Sequence, residues 1–166
     1  MSRTLSTASV IVLAALGFAA AAQPLMQPNI SATQAKQIVD AIIGECSQAG
    51  DLITVTIAVV DRAGLPVMQV RADTASPHNW ELAFRKAYTA RTFRRNSIDW
   101  RDRMATDAEA SGQQSLANVV ALGGGVPIML GDIPIGAVGV SGAQGGQEAD
   151  TACAEAGIAA IADELD

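Results

Sequence analysis

Histidine is almost missing from this 166-residue chain, and His78 is its sole example. One imidazole and two cysteines far apart in sequence, Cys46 and Cys153, have no zinc-ligand spacing and cannot fill a closed zinc site. Basic residues are scarce as well. Against 17 Asp and Glu stand 11 Lys and Arg, and the net charge of −6 at pH 7 makes nucleic acid or an anionic lipid surface a poor partner. A small ligand or another protein fits that balance better. The glycines of VGVSGAQGG, residues 138–146, lack the Lys-Ser or Lys-Thr of a phosphate loop, and no Gly-x-Gly-x-x-Gly opens a βαβ unit, so nucleotide chemistry is not indicated. No internal repeat or low-complexity segment is visible.

The N-terminus reads as an address. Arg3 supplies a positive start, the run from Ala8 to Phe18 is almost wholly apolar, and Ala20, Ala21 and Ala22 are the small residues a signal peptidase accepts. That run is short for a membrane span of about 20 residues, and the polar QPLMQPNIS follows it. The pattern predicts a signal peptide over residues 1–22, a single domain over 23–166, a periplasmic or secreted location, and no stable membrane insertion after cleavage. No cysteine follows the cleavage site to carry a lipid. In an oxidising compartment an even cysteine count suggests a Cys46–Cys153 disulfide, which requires the first and last helices to be neighbours. Two separately buried thiols are an equal alternative.

Periodicity divides the rest. Apolar residues at Ala35, Ile38, Val39, Ile42 and Ile43 predict a helix over 31–49, with Ser31 or Thr33 as its cap. Residues 52–60 and 65–71 are extended runs around Asp61-Arg62-Ala63-Gly64, a hairpin. Ser76-Pro77 reads as an N-cap followed by proline in the first turn of a helix running to about Arg94. A short polar helix over 98–107 and a loop over 111–117 follow. Strand-like sequence resumes at Val119, then at 126–130 and 133–140 around a tight Gly131-Asp132 turn. An alanine-rich helix over 147–165 ends the chain. This order predicts an antiparallel sheet with helices packed against it, not a doubly wound nucleotide fold.

His78 falls at the start of the central helix, where the positive end of the helix dipole disfavours a second positive charge. A neutral imidazole can bind a metal or a haem iron. Arg85 and Thr89, seven and eleven residues on, return to within roughly 20° of His78 on the helix, and Leu82 and Lys86 flank that stripe. Such a face suits a ligand carrying a metal and carboxylates. The other reading is a solvated His78 above an ordinary charged face of Arg85, Lys86, Arg91, Arg94 and Arg95. Ser141 in GVSG is a poor nucleophile candidate, because Gly-x-Ser-x-Gly fails at Ala143 and a triad would have to recruit His78. Glu148, Asp150 and Glu155 read as acidic residues complementing a helix N-terminus.

The stretch LGGGVPIMLGDIPIGAVGVSGAQGGQEADTACAEAGIAAI resembles the C-terminal signature of the GlcG/HbpS family of haem-binding-like proteins, which includes the C-terminal domain of PduO-type proteins. TIAVVDRAGLPVMQVRAD resembles the family's first hairpin and FRKAYTARTF its central helix, so the resemblance spans about 31–161. It implies an α+β, profilin/roadblock-like fold with a central antiparallel sheet of about five strands flanked by helices, assembly into a homo-oligomer, and haem as the cofactor. Lys86, Thr89 and the loop from Gly139 to Gly142 match family positions. The candidate ligand contacts are therefore His78, Arg85, Lys86, Thr89, Gly139, Ser141 and Gly142, with His78 on the haem iron and Arg85 and Lys86 meeting propionates. The glycines either admit a ligand to the helix start or merely permit a strand-to-helix turn. The alternative function is a small enzyme acting on a carboxylated or phenolic metabolite, with His78 as general base.

Overall fold

The computed structural model describes residues 23–46 and 54–165. Two hairpins form its centre. In the first, β1 (Thr56–Asp61) and β2 (Pro66–Arg71) are joined by a turn that Asp61 organises, its Oδ1 accepting from the N–H groups of Ala63 at 2.8 Å and Leu65 at 2.9 Å. Gly64 supplies the left-handed residue of that turn, with φ of 80°. In the second, β3 (Gly125–Leu130) and β4 (Ile133–Ser141) are joined through Gly131-Asp132, as the sequence predicts. The hairpins pair through β1 and β4, giving the antiparallel order β2-β1-β4-β3 with Val59 opposite Val138.

The sheet has four strands where about five were expected. The missing one is the segment after Val119, whose apolar residues resemble a strand. Its backbone is taken elsewhere: Val120 donates its N–H to Thr89 Oγ1 at 2.9 Å, and the Val119 carbonyl accepts from Arg85. A segment bonded to helix side chains is not free to join a ladder.

Alternation along the strands divides the sheet into two apolar faces. Ile57, Val59, Val126, Ile128, Val138 and Val140 face one way and pack with α1 (Ala32–Cys46) and α5 (Gln147–Ala159). The expected helical stripe of α1 is the buried one: Ala35, Ile38 and Ile42 are fully enclosed and Val39 nearly so. Each Ile so placed contributes about 1.5–3 kcal/mol of apolar burial. Ser31 and Gln34 cap α1 reciprocally, each side chain accepting from the other's backbone N–H at 3.0–3.1 Å. The Cys46–Cys153 disulfide joins the end of α1 to α5 across a Cα separation of 6.1 Å. Closing so long a loop stabilises a domain by about 2–5 kcal/mol.

The other face carries α2 (Asn79–Phe93) through Ala83, Ala87 and Ala90 against Val60 and Ala137. These small residues let the helix lie almost on the strand backbone. A Cβ at Gly139 would overlap the Ala83 carbonyl oxygen, and one at Gly125 would overlap that of Lys86. Beyond α2, α3 (Ser97–Thr106) and α4 (Ala108–Ser111) close a satellite cluster of Trp100, Met104, Ala110 and Val119, with Phe93 stacked on Trp100. Residues 112–115 and 162–164 form 3₁₀ turns, so α5 ends earlier than the expected Leu165. The predicted signal peptide and the last residues of the expected first helix, 47–49, lie outside the described residues. Among the described residues no helix is long and apolar enough to cross a membrane.

The close approach of α2 yields a stability prediction. Gly139→Ala forces helix and strand apart and is expected to cost roughly 3 kcal/mol. Gly44→Ala, on α1 with nothing within 4 Å of the new methyl, is expected to add about 0.5–1 kcal/mol. Urea denaturation of the two variants checks both signs.

Candidate functional site

The start of α2 is built by successive turns. Ser76 and Pro77 give their carbonyls to the N–H groups of Asn79 and Trp80, and His78 accepts the first helical hydrogen bond, from Leu82 at 3.1 Å. The helix therefore begins at Asn79, two residues later than Ser76-Pro77 suggests, and His78 occupies the N-cap position with helical φ of −67° and ψ of −21°. Its ring makes no capping bond. The residue is exposed and lines an open depression of about 170 Å³ with Glu81, Leu82 and Arg85.

Arg85 forms the other wall of this depression. Its Nη2 donates to the Val119 carbonyl at 2.7 Å and its Nη1 lies 3.4 Å from Glu81 Oε1, while the side chain stays 34% exposed. Its Nε is buried with no hydrogen-bond partner. Across the crest of the helix, Glu81 is shared with a second depression of about 430 Å³ between α2 and the edge strand β2, lined also by Pro66, Gln69, Trp80 and Phe84. Trp80, one of these, is 49% exposed. The His78 depression alone is smaller than the about 300–1,000 Å³ usual for ligand pockets, whereas its neighbour falls within that range. Together they offer an imidazole, a guanidinium and an aromatic surface within two turns of one helix. Exposed Trp80 was not singled out by sequence, where an aromatic in a helix reads as core.

Thr89 does not line this surface. It is fully buried, its Oγ1 donating to the Arg85 carbonyl at 2.8 Å and accepting from Val120. It thereby holds the segment whose Val119 carbonyl anchors Arg85, a positioning role.

Lys86 is placed differently again. Eight residues beyond His78 it stands about 80° round the helix, toward the sheet. It is 2% exposed, with Nζ 2.6 Å from Asp150 Oδ2 and 3.1 Å from the Val140 carbonyl. Asp150 Oδ1 accepts in turn from the Ala143 N–H at 2.8 Å. This ammonium is committed inside the fold and does not reach the depression beside His78. Asp150, read from sequence as a dipole-complementing residue, is its partner. The available signal was a lone lysine among alanines on a helix's inner face, which needs a carboxylate.

The glycine loop also lies inward. Gly139 is covered by α2, and Ser141 is 2% exposed with its hydroxyl 3.1 Å from Asn79 Oδ1. Gly142 has φ of 105°, and a Cβ there would meet the Thr54 carbonyl oxygen at 2.5 Å and Asn79 Nδ2 at 2.6 Å. Gly139 and Gly142 thus both lie where a side chain would strike neighbouring backbone, a contact that neither ligand access nor a simple strand-to-helix turn anticipated. Among the described residues no group of three or more His, Cys, Asp and Glu could hold a metal ion.

The model of the family described as "Haem degrading protein HbpS-like" matches residues 30–159. The chain belongs to the HbpS-like family. An uncharacterised 15.0 kDa protein from the dhaT-dhaS intergenic region of Citrobacter freundii is 31% identical over 132 residues, covering 78% of this chain and 90% of that one. Among solved structures, HbpS is 27% identical with a TM-score of 0.77, over 84% of this chain and 94% of its own. The haem complex of PduOC is 29% identical with a TM-score of 0.73, over 81% and 96%. The HbpS-like fold is thus present with its sheet and helices in place, and the likeness covers nearly all of the described residues.

Removing one member of the buried pair leaves a charge in the interior. Lys86→Met and Asp150→Leu are each expected to lower stability by about 3–5 kcal/mol, and the double variant Lys86→Met/Asp150→Leu is expected to lose less than the two singles added. A double-mutant cycle in chemical denaturation measures that difference.

Proposed function

We propose that the protein is an exported binder of haem or a related tetrapyrrole, acting in sensing, storage or transport, in which His78 would hold the iron and Arg85 would meet a propionate. The observation that carries this reading is the placement of the sole imidazole, exposed at the start of α2 and sharing one depression with a partly exposed guanidinium. Family membership and the haem-bound relative support the ligand class. Haem would supply an iron with an open coordination position and two carboxylates. The chain's own residues divide the work around it. His78 presents its ring without spending it on a cap, Arg85 offers a planar donor to a carboxylate, and Thr89 fixes the backbone that holds Arg85. Trp80 and Phe84 furnish apolar surface for a flat ring system alongside. Lys86 has no part in this contact.

The leader-like residues 1–22 support export, and the Cys46–Cys153 bond accords with an oxidising compartment. The openness of both depressions supports a ligand covered on its far side by another copy of the chain, in keeping with a homo-oligomer. A second reading rests on Glu81, which lines the same depression as His78: a small enzyme with His78 as general base and Arg85 holding the anion of a carboxylated or phenolic metabolite. Catalysis by that pair calls for a site closed to water, and this one is open.

Titrating residues 23–166 with haemin tests the proposal. A saturable shift of the Soret band is expected, lost in His78→Ala and weakened about tenfold or more in Arg85→Gln, the effect of one charge-assisted hydrogen bond. An unchanged spectrum in His78→Ala removes His78 from the iron.

A further inference from the structure

At the opposite end of α2 the chain gathers three arginines against a single nearby carboxylate, Asp61. Tyr88 packs against the β1–β2 turn so closely that a Cβ on Gly64 would lie 2.9 Å from its ring. That contact seats the turn on the flank of α2, bringing Arg62, two residues before Gly64, toward Arg91, one helical turn beyond Tyr88. Arg94 ends the helix beside them. Among the described residues none of Arg62, Arg91 and Arg94 enters an ion pair, although acidic residues outnumber basic ones in the whole chain.

Three observations point to an anionic guest. Arg91 Nε is buried and has no hydrogen-bond partner. Burial first, then the like charges of Arg62 and Arg94, hold the Arg91 guanidinium below its ordinary pKa, and Asp61 offsets this only in part. Asp61 is also engaged through Oδ1 with the turn. Arg94 adopts a left-handed backbone, φ of 55° and ψ of 40°, at a helix end where glycine is the usual residue. The helix dipole favours cations at this end, but it explains neither Arg62, which lies on another element, nor the unpartnered Nε.

We propose that Arg62, Arg91 and Arg94 form a second binding site, for a small dianionic oxyanion of the phosphate or phosphomonoester class. Three guanidinium groups supply more charge than one carboxylate neutralises, and their planar forks match the several acceptor oxygens of a tetrahedral anion. The site lies about 24 Å along the helix from His78, so it does not depend on the haem reading.

The test uses residues 23–166 at low ionic strength, titrated with inorganic phosphate, with phenyl phosphate, and with acetate as control. Binding is followed by the NMR signals of the arginine Nε–H groups. Saturable one-to-one binding of phosphate is expected, with acetate much weaker; tighter phenyl phosphate assigns the site to esters, and tighter phosphate to the free ion. Arg94→Gly is the informative variant because it suits the left-handed cap. It should hold or raise the thermal midpoint and leave the haemin titration unchanged while weakening phosphate by at least about fivefold, and Arg62→Gln should weaken it similarly. Equal affinity in both variants overturns the proposal. So does acetate binding as well as phosphate, or phosphate leaving the signals unmoved while Arg94→Gly dissolves an oligomer in sedimentation, which would assign the arginines to contact between copies.

Discussion

A single ammonium and a single carboxylate, both nearly out of water, hold the layers of this protein in register. Lys86 comes from α2 on one face of the sheet and Asp150 from the first turn of α5, and they meet beside Gly124 and the end of β4. Gly124 has φ of 115°, and a Cβ on it would stand 3.0 Å from Lys86 Nζ and 2.8 Å from Asp150 Cβ. Burying two charges is costly, and attraction repays it only where their remaining hydrogen-bonding capacity is met. Here the Val140 carbonyl takes a second ammonium N–H and the Ala143 N–H binds the second carboxylate oxygen. The pair therefore specifies one seating of α2 over the sheet, and the glycines at 124, 125 and 139 make that seating sterically possible.

The geometry of the candidate site follows from that seating. With Ala83, Lys86, Ala87 and Ala90 turned inward, the residues left facing outward at the start of the helix are His78, Glu81 and Arg85 on one flank and Trp80 and Phe84 on the other. Rotating α2 by one residue would bury Arg85 and expose alanine. The chemistry displayed at the surface is thus a consequence of how the core lysine is satisfied. The same seating carries Tyr88 to Gly64 of the β1–β2 turn, and Arg91 there feels the charges of Arg62 and Arg94.

Much of this was legible in the sequence because its signals are local. The stripe of Ala35, Ile38, Val39 and Ile42 has the helical period and is the buried face of α1. Asp61 to Gly64 and Gly131-Asp132 are turn chemistry and are turns. The motif resemblance foretold the α+β architecture, and the two cysteines, left open between bond and thiols, are joined. What was not legible depends on partners distant in the chain. Lys86 reads as one more cation on a charged face until Asp150, 64 residues on, is brought beneath it. Val119 and Val120 have strand-like side chains, but Arg85 and Thr89 claim their backbone. The glycine loop raises the same difficulty: a glycine that admits a ligand and one that admits a helix are identical in sequence, and only the neighbour at Gly139, the backbone of α2, distinguishes them.

Because His78 is the only histidine, its imidazole can be watched without assignment. Nitrogen NMR of histidine-labelled protein, before and after one equivalent of ferric haem, tests the central claim that the seating of α2 presents this ring to iron. The one imidazole signal is expected to leave its diamagnetic position as the haem is taken up. Haem taken up in full with that signal unmoved would contradict it.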